Sequence, residues 1–232
     1  MKEFVLDLIK KKKKRYLEDY SEMLGDYKRE LETIKGYNGR QLLELLQNCD
    51  DEGATKVTVA LDKEARTISI SNNGNTSFSK KGYRSLFIAN LSSKTSRKYI
   101  GNKGLGFRSI INWSKSIEIQ SNNLSLYYSE KNTKENYEKL FSEEERQRIV
   151  KEENLSENII PMPFLSMPKL KSIDQGDFKT AIIIQFKNKA FSDILKQVQN
   201  ITSETLLFLK HIEEVCFLGF EDVENIKCKR EN

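Results

Sequence analysis

The sequence predicts an α/β fold in which a sheet built largely from hairpins packs against amphipathic helices. Three observations carry that expectation. Residues 55–61 and 67–71 alternate apolar and polar side chains, rich in β-branched types, around a turn at 62–65. Residues 116–120 and 124–129 read as a second hairpin. Residues 180–186 form a near-continuous apolar run, as in a strand buried inside a sheet.

The remaining elements follow in order. From Tyr16 the residues Tyr20, Leu24, Tyr27, Leu31 and Ile34 recur at three- and four-residue spacing, which predicts one long N-terminal helix ended by Gly36 and Gly39. Residues 40–51 resume a helix with Leu42, Leu43, Leu45, Leu46 and Cys49 available for burial. Asn72, Asn73, Gly74 and Asn75 end the second strand in a turn, and residues 80–90 suit a short helix. The polar segment 92–98 leads into clustered glycines, after which residues 107–113 are expected to be helical.

Residues 130–154 are highly charged with sparse apolar side chains, as for a helical surface insertion. Pro161, Pro163 and Pro168 mark an extended connector. Residues 191–199 and 203–214 read as helices, and 215–218 as a short strand. The expected organisation is therefore a helical extension over 1–38, a domain over 39–220 interrupted by the insertion at 130–155, and a charged tail at 221–232 that opens a further C-terminal region.

Composition excludes several chemistries. Of 232 residues, 38% are hydrophobic and 31% charged, an ordinary globular balance with a wet surface. No apolar run approaches the roughly 18 residues of a membrane span. Residues 4–9 are too short for a secretory signal, contain Asp7, and precede rather than follow the basic run, so a cytoplasmic location is expected. Cys49, Cys216 and Cys228 lack metal-ligand spacing, and His211 lies in an apolar pattern, which argues against zinc, disulfides and Cys/His or Ser/His nucleophiles. The net charge is +5, much of it in the block 10–15. Such a block suits nucleic acid or an acidic membrane face, but without an aromatic or arginine-rich stripe a solvated helix segment is the preferred reading.

The chemistry must then come from carboxylates, amides, lysines and backbone. Gly101, Gly104 and Gly106 fall within six positions, and clustered glycines mark a close approach to backbone, phosphate above all. Their spacing, Gly-x-x-Gly-x-Gly, differs from both the Walker loop and the dinucleotide fingerprint. On the helix 40–51, Glu44, Asn48 and Asp51 share one stripe at i, i+4 and i+7. A carboxylate and a carboxamide one turn apart suit a positioned water and a hard cation such as Mg²⁺; the competing reading of the stripe alone is a solvated helix face.

The order Glu44-Leu45-Leu46-Gln47-Asn48-Cys49-Asp50-Asp51, a strand ending Asn72-Asn73-Gly74, and then the glycine pattern resembles the Bergerat-fold ATPases. This superfamily includes histidine kinases, gyrase, mismatch-repair proteins and the ninety-kilodalton heat-shock chaperones. Within it the chain is most similar to the sacsin and No Vein type, on residues 44–51, 93–95 and 100–109. The resemblance covers 39–129, and more loosely 180–218.

It implies a two-layer sandwich, a mixed, mostly antiparallel sheet with helices on one face. It implies Mg-dependent binding of ATP and ADP, with slow hydrolysis driving a lid and conformational switch in a larger chaperone-like or defence-related protein. By resemblance Glu44 orients and deprotonates the attacking water, and Asn48 binds Mg²⁺. Gly101, Gly104, Leu105 and Gly106, with amides up to Phe107, cradle the phosphates, joined by Ser93, Lys94 and Lys103. Asp51 is the acidic residue near the nucleotide, while Asn72, Gly74 and Thr180 form the adenine end. Asn72 stands where most of the superfamily carries aspartate. Implied partners are C-terminal domains of a longer chain or a second subunit. The alternative is a non-hydrolysing nucleotide-sensing or scaffold module; a phosphotransfer kinase is disfavoured because no preceding helix carries a phospho-acceptor histidine.

Overall fold

The strand at the middle of the sheet arrives late in the chain. In the computed structural model, which describes residues 1–36, 39–87, 106–156, 158–221 and 223–228, the strands are β1 (Lys56–Asp62), β2 (Thr67–Asn72), β3 (Ser114–Ser121), β4 (Leu124–Ser129), β5 (Lys169–Ser172), β6 (Thr180–Phe186), β7 (Glu214–Leu218) and β8 (Ile226–Lys227). They form one sheet in the order β5-β4-β3-β6-β2-β1-β7-β8. β6 is therefore inserted between two hairpins, β1–β2 and β3–β4, and pairs antiparallel with a strand of each. Among the described residues only β1 and β7 run parallel, so the sheet is mixed and mostly antiparallel.

Register explains why the sheet has one covered face. Cross-strand partners share a face, and the rows Val59–Ile70–Ile182–Ile119–Leu126 and Leu61–Ile68–Ile184–Ile117–Tyr128 are all buried. The opposite face carries Thr58, Ser69, Ser71, Glu118 and Gln120, all partly exposed. Helices α3 (Gln41–Asp51), α4 (Lys80–Phe87) and α7 (Phe191–Gln199) contribute Leu42, Leu45, Leu46, Tyr83, Leu86, Ile194 and Val198 to the core over the buried face. The result is the expected two-layer α/β sandwich with helices on one face.

The first 36 residues form two helices, α1 (Lys2–Glu18) and α2 (Tyr20–Gly36), instead of the single long helix expected. Asp19 is extended between them (φ −150°, ψ 104°), and its Oδ1 accepts the Ser21 amide at 2.9 Å. Asp19 thus caps the second helix in competition with continuing the first. The pair is integral to the fold: Val5 is fully buried in the main core, and Tyr16, Met23 and Leu24 build a second cluster with Tyr137, Leu140, Phe141, Ile149, Met162 and Met167. The charged insertion therefore has a buried side. Its helices α5 (Glu130–Leu140) and α6 (Glu143–Glu152) are separated by a capping box between Ser142 and Glu145.

The basic block of α1 is largely neutralised. Lys12 points inward, while Lys11 pairs with Asp7, Lys14 with Glu18, and Arg15 with Glu22. Among the described residues no helix is long and apolar enough to cross a membrane.

Two further expectations are corrected, and one strand was not anticipated. Residues 107–113 do not form an α-helix but a tighter 3₁₀ turn, Gly106–Asn112. The prolines lead into β5, whose Lys-Leu-Lys-Ser sequence conceals an edge strand. The helix expected over 203–214 stops as α8 (Ser203–Leu207). The buried Asp50 carboxylate accepts the amides of Lys210 at 2.9 Å, His211 at 2.7 Å and Ile212 at 3.0 Å, which holds that backbone out of a helix.

Candidate functional site

Helix α3 aligns the site. Leu42, Leu45 and Leu46 are fully buried against the sheet, which leaves Glu44, Asn48 and Asp51 half-buried along the adjoining stripe. At the N-terminal end of that stripe the Glu44 side chain lies against Gly106: a Cβ built on Gly106 would fall inside the Glu44 carboxyl group. The acidic stripe and the last glycine of the cluster, far apart in sequence, are thereby brought together, and this contact, though not the fold, depends on the missing side chain at 106. Gly106 and Phe107 are both buried at the start of the 3₁₀ turn.

The turn is held from behind by Arg108. Its Nη1 donates to Glu30 Oε2 at 2.7 Å and its Nη2 to the Leu86 carbonyl at 2.7 Å, so the turn is tied to both α2 and the end of α4.

At the other end of α3 three polar side chains from three strands form a row. Asn72 of β2 stands opposite Thr180 of β6, which stands opposite Ser121 of β3. Their exposures are 5%, 3% and 0% in that order. Buried polar atoms need partners, and each has them. Ser121 Oγ accepts the Phe78 amide at 3.0 Å and lies 3.2 Å from Thr180 Oγ1. Asn72 Oδ1 accepts the Gly74 amide at 2.9 Å. Because a backbone N–H can only donate, that bond orients the carboxamide, and Nδ2 then faces Cys49 Sγ on α3 at 3.4 Å. Burial pushes the Cys49 thiol up to about 12, so the amide meets a neutral thiol.

Gly74 is confined in its turn: a Cβ there would come within 3.0 Å of Asn72 Oδ1 and 3.1 Å of the Glu52 carbonyl. Glu44 and Cys49 are five residues apart, so the acidic and amide ends are separated by about 7.5 Å along the axis of α3.

Of the residues expected to act, Glu44, Asn48 and Asp51 share α3, Gly106 meets its first half with Phe107 next in the chain, and Asn72, Gly74 and Thr180 gather about its second. Ser93, Lys94, Gly101, Lys103, Gly104 and Leu105 lie outside the described residues. Sequence reasoning missed Ser121 and Cys49. For Ser121 a signal existed: it precedes the Asn122–Asn123 turn as Asn72 precedes Asn73–Gly74. Asn122 and Asn123 have φ of 58° and 57°, the left-handed conformation asparagine tolerates.

Among the described residues no cluster of three or more His, Cys, Asp or Glu side chains forms. The donors along α3 are instead a carboxamide flanked by two carboxylates, an oxygen set suited to a hard cation that keeps most of its waters.

No protein-family model matches the chain, and no curated protein does. Among solved structures it is similar to the ATPase region of Saccharomyces cerevisiae topoisomerase II, at 14% identity and a TM-score of 0.47, over 82% of this chain and 49% of that one. The chain thus spans about half the length of that structure.

Proposed function

We propose that this chain binds Mg-ATP along α3 and hydrolyses it slowly, as an ATPase domain of the Bergerat type. The observation that carries the reading is the contact between Glu44 and Gly106, which sets a carboxylate against the end of a glycine cluster. A phosphate drawn to those glycine amides would have an acceptor beside it able to orient a water.

Each residue has a role in this reading. Glu44 aligns the attacking water and takes its proton. Asn48 would hold Mg²⁺ through its side-chain oxygen, with Asp51 close by on the same stripe. Bound Mg²⁺ supplies neutralisation of phosphate charge. The backbone from Gly101 to Phe107, with Ser93, Lys94 and Lys103, contacts the phosphates. At the far end Asn72 Oδ1 keeps a second lone pair beyond its bond to Gly74, which accepts from the exocyclic amine of adenine. Thr180 and Ser121 close that end. Catalysis on such a site rests on positioning and electrostatics. The stretch 92–98 acts as the lid, and nucleotide state is passed to C-terminal domains or a second subunit in the cytoplasm.

Calorimetric titration with ATP and ADP, with and without Mg²⁺, is to be paired with turnover assays of the wild type and Glu44→Gln. The expected result is binding within about threefold in both, and turnover reduced about a hundredfold or more in the variant. An absence of binding heat under all four conditions overturns the site. Wild-type turnover no higher than that of Glu44→Gln replaces the ATPase with a non-hydrolysing nucleotide sensor.

A further inference from the structure

Glu44 is only as well placed as the helix that bears it, and α3 starts without a cap of its own. Arg40 occupies the N-cap position and makes no side-chain cap hydrogen bond, although a helix start leaves amides needing acceptors. The Leu42 amide is taken instead from another helix, by Gln197 Oε1 of α7 at 3.0 Å. That bond orients the Gln197 carboxamide, because an N–H must face an oxygen. Its Nε2 then donates to Gln41 Oε1 at 2.7 Å and to Asp193 Oδ2 at 3.0 Å.

Asp193 Oδ2 also accepts the indole N–H of Trp113 at 2.7 Å, and Trp113 directly follows the 3₁₀ turn opened by Gly106. The contacts therefore close into a loop. Glu44 lies on Gly106, the turn runs to Trp113, Trp113 reaches Gln197 through Asp193, and Gln197 holds Leu42 two residues before Glu44. Gln41 is fully buried, Trp113 is 2% exposed and Gln197 6%. A satisfied polar network at that depth tolerates few alternative arrangements.

We infer that Gln197 is a positioning residue for Glu44, setting the height of α3 against the glycine turn. This rests on the ATPase reading of Glu44. Gln197 touches neither substrate nor reacting atoms; its effect passes through the first turn of α3. A shift of a catalytic group by about an ångström costs up to about a hundredfold in rate, whereas nucleotide affinity, carried mostly by the glycine and Asn72 ends, is left intact.

The test uses the full chain as wild type, Glu44→Gln, Gln197→Met and the double variant, with ATP affinity by calorimetry, kcat, KM and melting temperature. Wild type against Glu44→Gln tests the ATPase reading by itself. For Gln197→Met the expected result is affinity and KM within about threefold and kcat lowered about tenfold or more. In the Glu44→Gln background the same change lowers kcat no further, because both substitutions disable one group.

An unchanged kcat in Gln197→Met overturns the proposal. So does a parallel fall in kcat, affinity and melting temperature, which marks a packing role. Should Gln197→Met fail to fold, Gln197→Glu decides alone, since it keeps the acceptor for Leu42 and loses both donations. A kcat several-fold lower at unchanged affinity supports the role, and wild-type kcat overturns it.

Discussion

Glu30 and Arg108 form an ion pair 2.7 Å long whose side chains are only 4% and 3% exposed. Glu30 also accepts the Phe164 amide at 2.6 Å and the Leu165 amide at 3.3 Å, so one carboxylate joins α2, the 3₁₀ turn and the proline connector. Among the described residues the buried Arg108 Nε has no hydrogen-bond partner, so the guanidinium depends on Glu30 for its compensation. Glu30→Gln removes the counter-charge and leaves the cation enclosed, a loss of about 3–5 kcal/mol in denaturant unfolding. Adding Arg108→Met to that variant recovers part of the loss. A double variant no more stable than Glu30→Gln would show that the charge pairing is not what α2 supplies.

Lys12 gives a pH signature. Burial, opposed by Asp26, brings its pKa from 10.5 down to about 8. Its amine sits 3.1 Å from Asp26, donates to the Phe87 carbonyl, and shares its surroundings with Tyr16, Glu30 and Arg108. Because the folded pKa is the lower one, the unfolded chain binds more protons between pH 8 and 10.5, and stability rises with pH across that window. The gain relative to Lys12→Met is about 3 kcal/mol. Taking the difference between the two proteins cancels the buried tyrosines, whose raised pKa values work in the opposite sense above about pH 10. Denaturation midpoints at pH 7, 8, 9 and 10 check it; a constant difference between wild type and Lys12→Met would contradict the burial of a charged amine.

Gly106→Ala separates folding from chemistry. The added methyl group meets the end of a flexible side chain, not backbone, so Glu44 swings aside and the fold is kept. Melting temperature should change by no more than a few degrees, while ATP turnover falls about as far as in Glu44→Gln, roughly a hundredfold. Turnover close to wild type would remove Glu44 from the chemistry.

The sequence made local structure legible where local forces decide it. The hairpins follow from period-two patterning around short polar turns at 62–65 and 121–123, and α7 matches its expected span end to end. The break at Asp19 was hidden because apolar spacing continues across it from Tyr16 to Tyr20 and Leu24. The truncation of α8 was hidden because its cause, Asp50, acts from 160 residues away. The acidic stripe and the Asn72 turn were legible as residue types in order. Their union with Gly106, and the dependence of α3 on Gln197, were not, because a close approach and a cap borrowed from another helix leave no periodic trace.

The position of β6 has a consequence for how the molecule is made. Its partners Asn72 and Ser121 precede Thr180 by long stretches of chain, and β2 and β3 have no hydrogen-bonded connection except through it. The two hairpins can therefore be joined only once residues 180–186 have been made, and β7 is added to β1 later still. The loop-closure entropy of joining the two hairpins is paid at that step, and until then the free edges of β2 and β3 are the surfaces most exposed to mispairing.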